Sequence, residues 1–247
     1  KFPVMENCLL HLERMFSNMD GKKWKNGSLN HMGKMQKNQK RRKAHMEKII
    51  DVSDNQGVID WQQASKHIRF AILRSVRGSG KLDYQFKANV AGCRKYGVGF
   101  DVYKYSYALT EAASIKEAQQ VVAALQSVGC GPEVTVWWDM EDKSLRKLSK
   151  HQLTKNILAA RKVIEAAGYT FDLYCNKDWY LNVLDVAQLD CRFWIARYPY
   201  NKVMQFNQDP EKRYAPTFVK NLMGWQFTSQ GRVPGIKGNV DLSVLYM

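Results

Sequence analysis

The sequence predicts an α/β fold: an irregular (β/α) barrel of eight strands, TIM-barrel-like, with some of the helices missing. Three observations point there. Eight short apolar runs recur between residues 49 and 242, and amphipathic stretches ending in glycine separate the early ones. The body that holds them is roughly 200 residues long, the size of one closed barrel. A doubly wound open sheet is the alternative. No GxGxxG or P-loop sequence opens any of the helical stretches, so a nucleotide site has no support.

The elements follow in order. IIDV (49–52) is a β-branched strand, and a short helical piece follows Asp60, an N-cap residue type,. FAILRS (70–75) is the second strand. Residues 84–96 read as a helix with Asp83 as its N-cap and Gly97 as its stop,. VGFDVYKYS (98–106) is the third strand. The stretch 111–128, EAASIKEAQQVVAALQSV, is rich in alanine and stops at Gly129, which makes it a second long helix,. VTVWWDME (134–141) is the fourth strand, and residues 151–167 form a helix ending at Gly168. FDLYC (171–175) is next, with a short helical piece after Asp178. FWIA (193–196), GWQFT (224–228) and NVDL (239–242) complete the set with little helix between them.

Charge divides the chain. Residues 1–48 hold 12 Lys+Arg against 4 Asp+Glu, net +8, and the rest hold 26 against 19, net +7. Residues 1–45 read as a basic N-terminal extension, flexible or a non-native leader ahead of Met46, with a short helix available where Leu9, Leu12 and Phe16 share a face,. Residues 46–247 are the barrel. A basic body suits an anionic partner: nucleic acid, an acidic membrane surface or an anionic polymer such as bacterial cell wall. No apolar run approaches the length of a membrane helix, and no secretory signal opens the sequence,. The five cysteines form no CxxC pair, which argues against zinc and for reduced, mostly buried thiols,.

The stretch VTVWWDMED (134–142) carries the chemistry. Strand side chains alternate faces, so Asp139 and Glu141 point the same way at the end of an apolar strand,. Crowding two carboxylates there raises at least one pKa and keeps a proton available near neutral pH. In a parallel barrel, function collects at the C-terminal strand ends. Those ends carry Asp51, Arg74, Tyr103, Tyr105, Asp139 and Glu141, then Tyr174, Asn176, Arg197, Tyr198, Gln226 and Asp241. Carboxylates cleave glycosidic bonds and aromatic faces stack on sugar rings, so the pattern points to a glycosidase. Asp142 reads as a helix cap, and His67 and His151 as surface or capping residues,.

These residues resemble a known family, the glycoside hydrolase family 25 lysozymes, bacterial and phage N-acetylmuramidases. The matching pieces include IIDVSDNQGVIDW (49–61), DYQFKANVAGCRKYGVGFDVYKYSYA (83–108), VTVWWDMED (134–142), LYCNKDWY (173–180), FWIARY (193–198) and GWQFTSQGRVPGIKGNVDLS (224–243), in the family's order. The resemblance covers residues 46–247 and implies a short, somewhat flattened barrel with eight strands and about five helices. It implies cleavage between N-acetylmuramic acid and N-acetylglucosamine, with Glu141 as general acid and Asp139 assisting, by substrate assistance with retention or by direct water attack with inversion. It implies substrate contacts from Asp51 and Asp241, and from Tyr105, Tyr174, Trp194, Tyr198 and Trp225, which fall where the family has aromatics near its groove. The loop SDNQG stands where many members carry Trp or His. The implied partner is bacterial peptidoglycan, with no metal, cofactor, nucleic acid or membrane insertion. The missing signal favours a phage endolysin released from the host cytoplasm over a secreted autolysin. The competing reading is a catalytically inactive barrel that binds cell-wall carbohydrate. Oligomeric state and target bacterium stay open.

Overall fold

The computed structural model describes residues 46–246, and the expectations for residues 1–45 lie outside the described residues. Nine strands are present among those residues. They are β1 (Met46–Val52), β2 (Phe70–Arg74), β3 (Gly99–Tyr105), β4 (Thr135–Asp139), β5 (Thr170–Asn176), β6 (Phe193–Ala196), β7 (Met204–Gln205), β8 (Leu222–Arg232) and β9 (Val240–Tyr246). Four α-helices accompany them: α1 (Trp61–Ala64), α2 (Phe86–Tyr96), α3 (Glu111–Ser127) and α4 (Lys150–Ala166). A π-helical turn at Trp179–Val183 and four short 3₁₀ turns complete the helical pieces among the described residues.

Eight strands close a ring. β1 to β6 pair in sequence order as parallel neighbours, β6 pairs with β8, and β9 joins β8 back to β1. The two-residue β7 adds to the far part of β8. The eight predicted strands are the eight of the ring. One expectation needs correction: the barrel is not all parallel. β9 runs antiparallel to both β8 and β1. The reason is the connection. Only residues 233–239 link β8 to β9, too few for a parallel crossover, which takes a dozen or more.

The helix ends follow local chemistry. Thr110 and Ser149 cap α3 and α4 by accepting hydrogen bonds from the amides of Ala113 and Gln152, both at 3.2 Å,. Gly97 ends α2 at φ 68°, a left-handed conformation that disfavours any residue with a Cβ,. Asp83 is not the cap of α2, which starts at Phe86. Its carboxylate accepts from the amides of Gln85 (2.8 Å) and Asp54 (3.1 Å) and from Arg74 Nε (2.8 Å), so it holds a turn before the helix.

Strand alternation builds two apolar layers. Ile49, Ile72, Trp137, Trp194 and Leu245 fill the barrel interior. Trp138, Phe171, Leu173 and Ile195 face outward into the core. α3 contributes Ala118, Val121 and Leu125 from its buried side, and α4 contributes Leu153, Ile157 and Ile164. Burial on both strand faces explains why β4 and β6 are buried throughout,. Cys93, Cys130, Cys175 and Cys191 are free thiols, the first three buried. Among the described residues, no helix is long and apolar enough to cross a membrane.

Candidate active site

One mouth of the barrel holds a cavity of about 420 Å³ lined by Asp51, Asp139, Glu141 and Asp241. β4 ends at Asp139, yet the Met140 amide still donates to the Tyr174 carbonyl of β5 at 2.9 Å. That bond keeps the backbone extended one residue further. The alternation therefore carries through, and Asp139 and Glu141 both reach the cavity while Met140 turns into the outer core,. Asp51 comes from the end of β1. Asp241 comes from the start of β9, because that strand runs the other way and begins at the mouth.

Asp51 and Asp241 are direct register partners across the β1–β9 ladder. Burial pushes the Asp51 carboxyl well above the usual carboxylate range, and the Asp241 charge pushes it further,. Burial raises Asp241 itself to about 6. Asp51 Oδ2 accepts from Gln226 Nε2 at 2.9 Å. The Gln226 carbonyl oxygen in turn accepts from the hydroxyls of Tyr174, at 2.7 Å, and Tyr198. Two tyrosines thus fix the orientation of the glutamine that steadies Asp51.

Asp139 is 5 % exposed, and its Oδ1 is buried without a hydrogen-bond partner. Burial raises its pKa well above the usual value, and the charges of Glu141 and Asp51 add to the shift. Lys104, on the outward face of β3, works against it. Glu141 is raised too, mainly by burial; a 3.4 Å hydrogen bond from Asn176 Nδ2 opposes the rise and the Asp241 charge supports it. Glu141 takes part in no ion pair among the described residues. The cluster therefore keeps protons to higher pH than four isolated carboxyl groups would, which is the arrangement acid–base chemistry requires.

Aromatics line the same cavity. The rings of Tyr174 and Trp194 pack tilted at 57° with centroids 4.4 Å apart, and Trp137 lies edge-on to Trp194 at 5.9 Å. Trp194 Nε1 donates to Ser243 Oγ at 3.0 Å, which pins the ring as floor. Tyr105 and the half-exposed Tyr198 lie at the walls. Trp225 is the correction. Gly224 and Gln226 flank it in β8, and Gln226 faces the interior, so Trp225 must face out,. Its Nε1 donates to the Arg197 carbonyl at 2.8 Å and its ring packs on Phe227 at 5.8 Å. There it lines a separate and larger cavity, about 630 Å³, with Met46, Leu222 and Tyr246. Among the described residues, the one carboxylate lining that cavity, Asp209, pairs with Lys48 at 2.8 Å, so the acid–base chemistry belongs to the smaller one.

The loop SDNQG forms a 3₁₀ turn with a capping box between Ser53 and Gln56,. Arg74 ties it down by pairing with both Asp54 and Asp83, and Asn55 reaches the cavity. Asp142 caps the 3₁₀ turn Lys143–Lys147 and accepts from Tyr105 OH at 3.3 Å. His67 and His151 are exposed. Sequence reasoning missed Tyr107 and Gly78 at the rim. Continuing the alternation of Tyr103 and Tyr105 one step beyond β3 would have found Tyr107; nothing in the sequence marks Gly78. Among the described residues, no group of His, Cys, Asp and Glu side chains is arranged to hold a metal ion.

Comparison with known proteins agrees with this architecture. A family model described as "Glycosyl hydrolases family 25" matches residues 50–236. The Escherichia coli O157:H7 protein YegX is 27 % identical over 202 residues, covering 79 % of this chain and 68 % of its own. The modular autolysin LytC from Streptococcus pneumoniae superposes with a TM-score of 0.66 at 25 % identity, covering 82 % of this chain. The chain spans about half the length of that autolysin, 47 %. LytC has also been seen in complex with a synthetic peptidoglycan ligand. The catalytic domain of endolysin ply40, from bacteriophage P40 of Listeria monocytogenes, superposes with a TM-score of 0.63 at 24 % identity. That match covers 81 % of this chain and 93 % of the endolysin domain.

Proposed function

The chain belongs to family 25 of the glycosyl hydrolases, and from that premise we propose that it is a lysozyme. It hydrolyses the peptidoglycan bond between N-acetylmuramic acid and N-acetylglucosamine. The observation that carries the reading is the pairing of Glu141, a half-buried carboxyl with a raised pKa, with Asp139, whose Oδ1 lacks a donor, in one aromatic-floored cavity.

Glu141 gives its proton to the glycosidic oxygen as the bond to the anomeric carbon breaks. The acetamide oxygen of the same sugar attacks that carbon and closes a cationic ring. The acetamide N–H donates to the unpartnered Oδ1 of Asp139,. That hydrogen bond and the growing positive charge both favour the ionised form against the burial that raises its pKa,, so Asp139 stabilises the cationic ring as a carboxylate. Water then adds to the anomeric carbon, its proton returns to Glu141, and configuration is retained. Asp51 and Asp241 hold substrate and set the field. Tyr105 and Tyr198 contact sugar at the walls, and Tyr174 and Trp194 form the floor. An anionic wall polymer also accounts for the basic body without nucleic acid.

Digestion of purified peptidoglycan followed by mass analysis of the new ends tests the bond. Muramic acid at the reducing end is expected; glucosamine there rejects the assignment. NMR of the first product tests the route, since an inverted anomer requires direct water attack in place of the acetamide. A protein that binds walls and releases no reducing ends would be the inactive carbohydrate-binding barrel.

A further inference from the structure

Tyr107 is held with unusual care for a rim residue. It follows β3, lines the cavity and is 45 % exposed. Exposed tyrosines commonly swing; this one is tied from three sides. Its amide donates to Glu117 Oε1 of α3 at 3.0 Å, and the neighbouring Ser106 hydroxyl donates to Glu117 Oε2 at 2.8 Å. Lys104, fully buried, pairs with Glu117 at 3.4 Å, and its ammonium lies 5.5 Å from the centre of the Tyr107 ring. Gly78, in the turn after β2, lies against the ring: a Cβ at that position would meet Tyr107 Cε2 at 2.7 Å. Tyr105 completes the group, its ring centroid 4.9 Å from that of Tyr107.

With Lys104 fully buried and Glu117 partly so, the ion pair behind the ring is not explained by stability, because a pair taken out of water seldom adds any,. What it does do is fix the segment that carries Tyr107. Large exposed aromatics at a cleft edge recognise flat or apolar ligand faces. The CH faces of a pyranose are such a surface.

We propose that Tyr107 is a sugar platform that extends the cleft outward. It stacks on a pyranose ring of the glycan strand beyond the sugars flanking the scissile bond. The Lys104–Glu117 pair and Gly78 are its positioning residues. This rests on the lysozyme reading and deepens it, by assigning a preference for longer strands to one side chain.

The test is titration calorimetry with uncrosslinked glycan strands. A tetrasaccharide of alternating N-acetylglucosamine and N-acetylmuramic acid is compared with longer strands, in a Glu141→Gln background so that nothing is cut. The longer strand is expected to bind more tightly. Adding Tyr107→Ala should weaken the long strand by about tenfold, the equivalent of one aromatic stacking contact, and the tetrasaccharide far less. Tyr107→Phe should restore the length preference. Gly78→Ala, which pushes the ring aside without removing it, should reproduce part of the loss. Equal binding of long and short strands, or a Tyr107→Ala effect that is the same for both, overturns the platform. Failure of the parent reading looks different: the protein with Glu141 intact would leave the strands uncut, while the calorimetry would still report on Tyr107.

Discussion

Asp51 and Asp241 face each other as register partners on antiparallel strands, and both carboxyl groups line the same cavity at the barrel mouth. Like charges directly opposite on a sheet destabilise it. A fold that keeps such a pair beside Asp139 and Glu141 gives up stability in order to hold protons at one place.

The first consequence concerns stability and pH. Burial raises Asp241 from 3.8 to about 6. A raised folded-state value means that the folded protein binds the proton more tightly than the unfolded chain does. The stabilisation is complete below about pH 4 and is lost as pH rises through about 6. Asp241→Asn should therefore match the parent near pH 4 and exceed it by roughly 1–3 kcal/mol near pH 7. Urea unfolding at the two pH values checks this; an equal gain at both would show that the carboxyl charge is not the cause.

The same substitution should move the activity profile. The Asp241 charge helps to hold the Glu141 proton. Removing that charge lowers the Glu141 pKa, so the basic limb of kcat/KM should shift to lower pH. Asn176→Ala removes a hydrogen bond that favours the ionised form, and should shift the limb the other way. Profiles of both variants that coincide with the parent would remove Glu141 as the group titrating on that limb.

Arg74 forks between Asp54 and Asp83 and so anchors the turn that brings Asn55 to the cavity. Lysine offers a point charge on a flexible stem in place of the rigid planar fork, and holds two carboxylates on separate segments less well. Arg74→Lys is expected to cost about 1–3 kcal/mol and to raise KM for glycan more than it lowers kcat. Thermal unfolding with steady-state kinetics measures both. A stability loss without any change in KM would make the turn purely structural.

Trp225 supplies a negative control. It packs outside the barrel wall on Phe227, so Trp225→Phe should lower stability by roughly 1 kcal/mol and leave KM within about twofold. A large KM increase with an unchanged melting temperature would return Trp225 to the groove.

Much of the fold was legible because it rests on local signals. The apolar runs, the Ala-rich stretch before Gly129 and the cap at Asp60 each act through neighbouring residues. The acid cluster was legible for a similar reason: alternation in WWDME puts Asp139 and Glu141 on one side. What escaped depends on distant chain segments. The direction of β9 follows from the short link out of β8, which reverses the end at which Asp241 meets the mouth. The family resemblance put Trp225 among the groove aromatics, and only the phase of β8, set by pairing with β6 and β9, turns it outward. Asp83 looked like a helix cap until Arg74, nine residues earlier, claimed it.

The most direct test is turnover by Glu141→Gln on a suspension of purified bacterial walls, beside a melting curve showing that the variant is folded. Glutamine keeps the shape and cannot give up a proton, so the rate of clearing is expected to fall by at least roughly 100-fold with the melting temperature held or raised. A folded Glu141→Gln protein that clears walls at the parent rate would contradict the assignment of Glu141 as the acid.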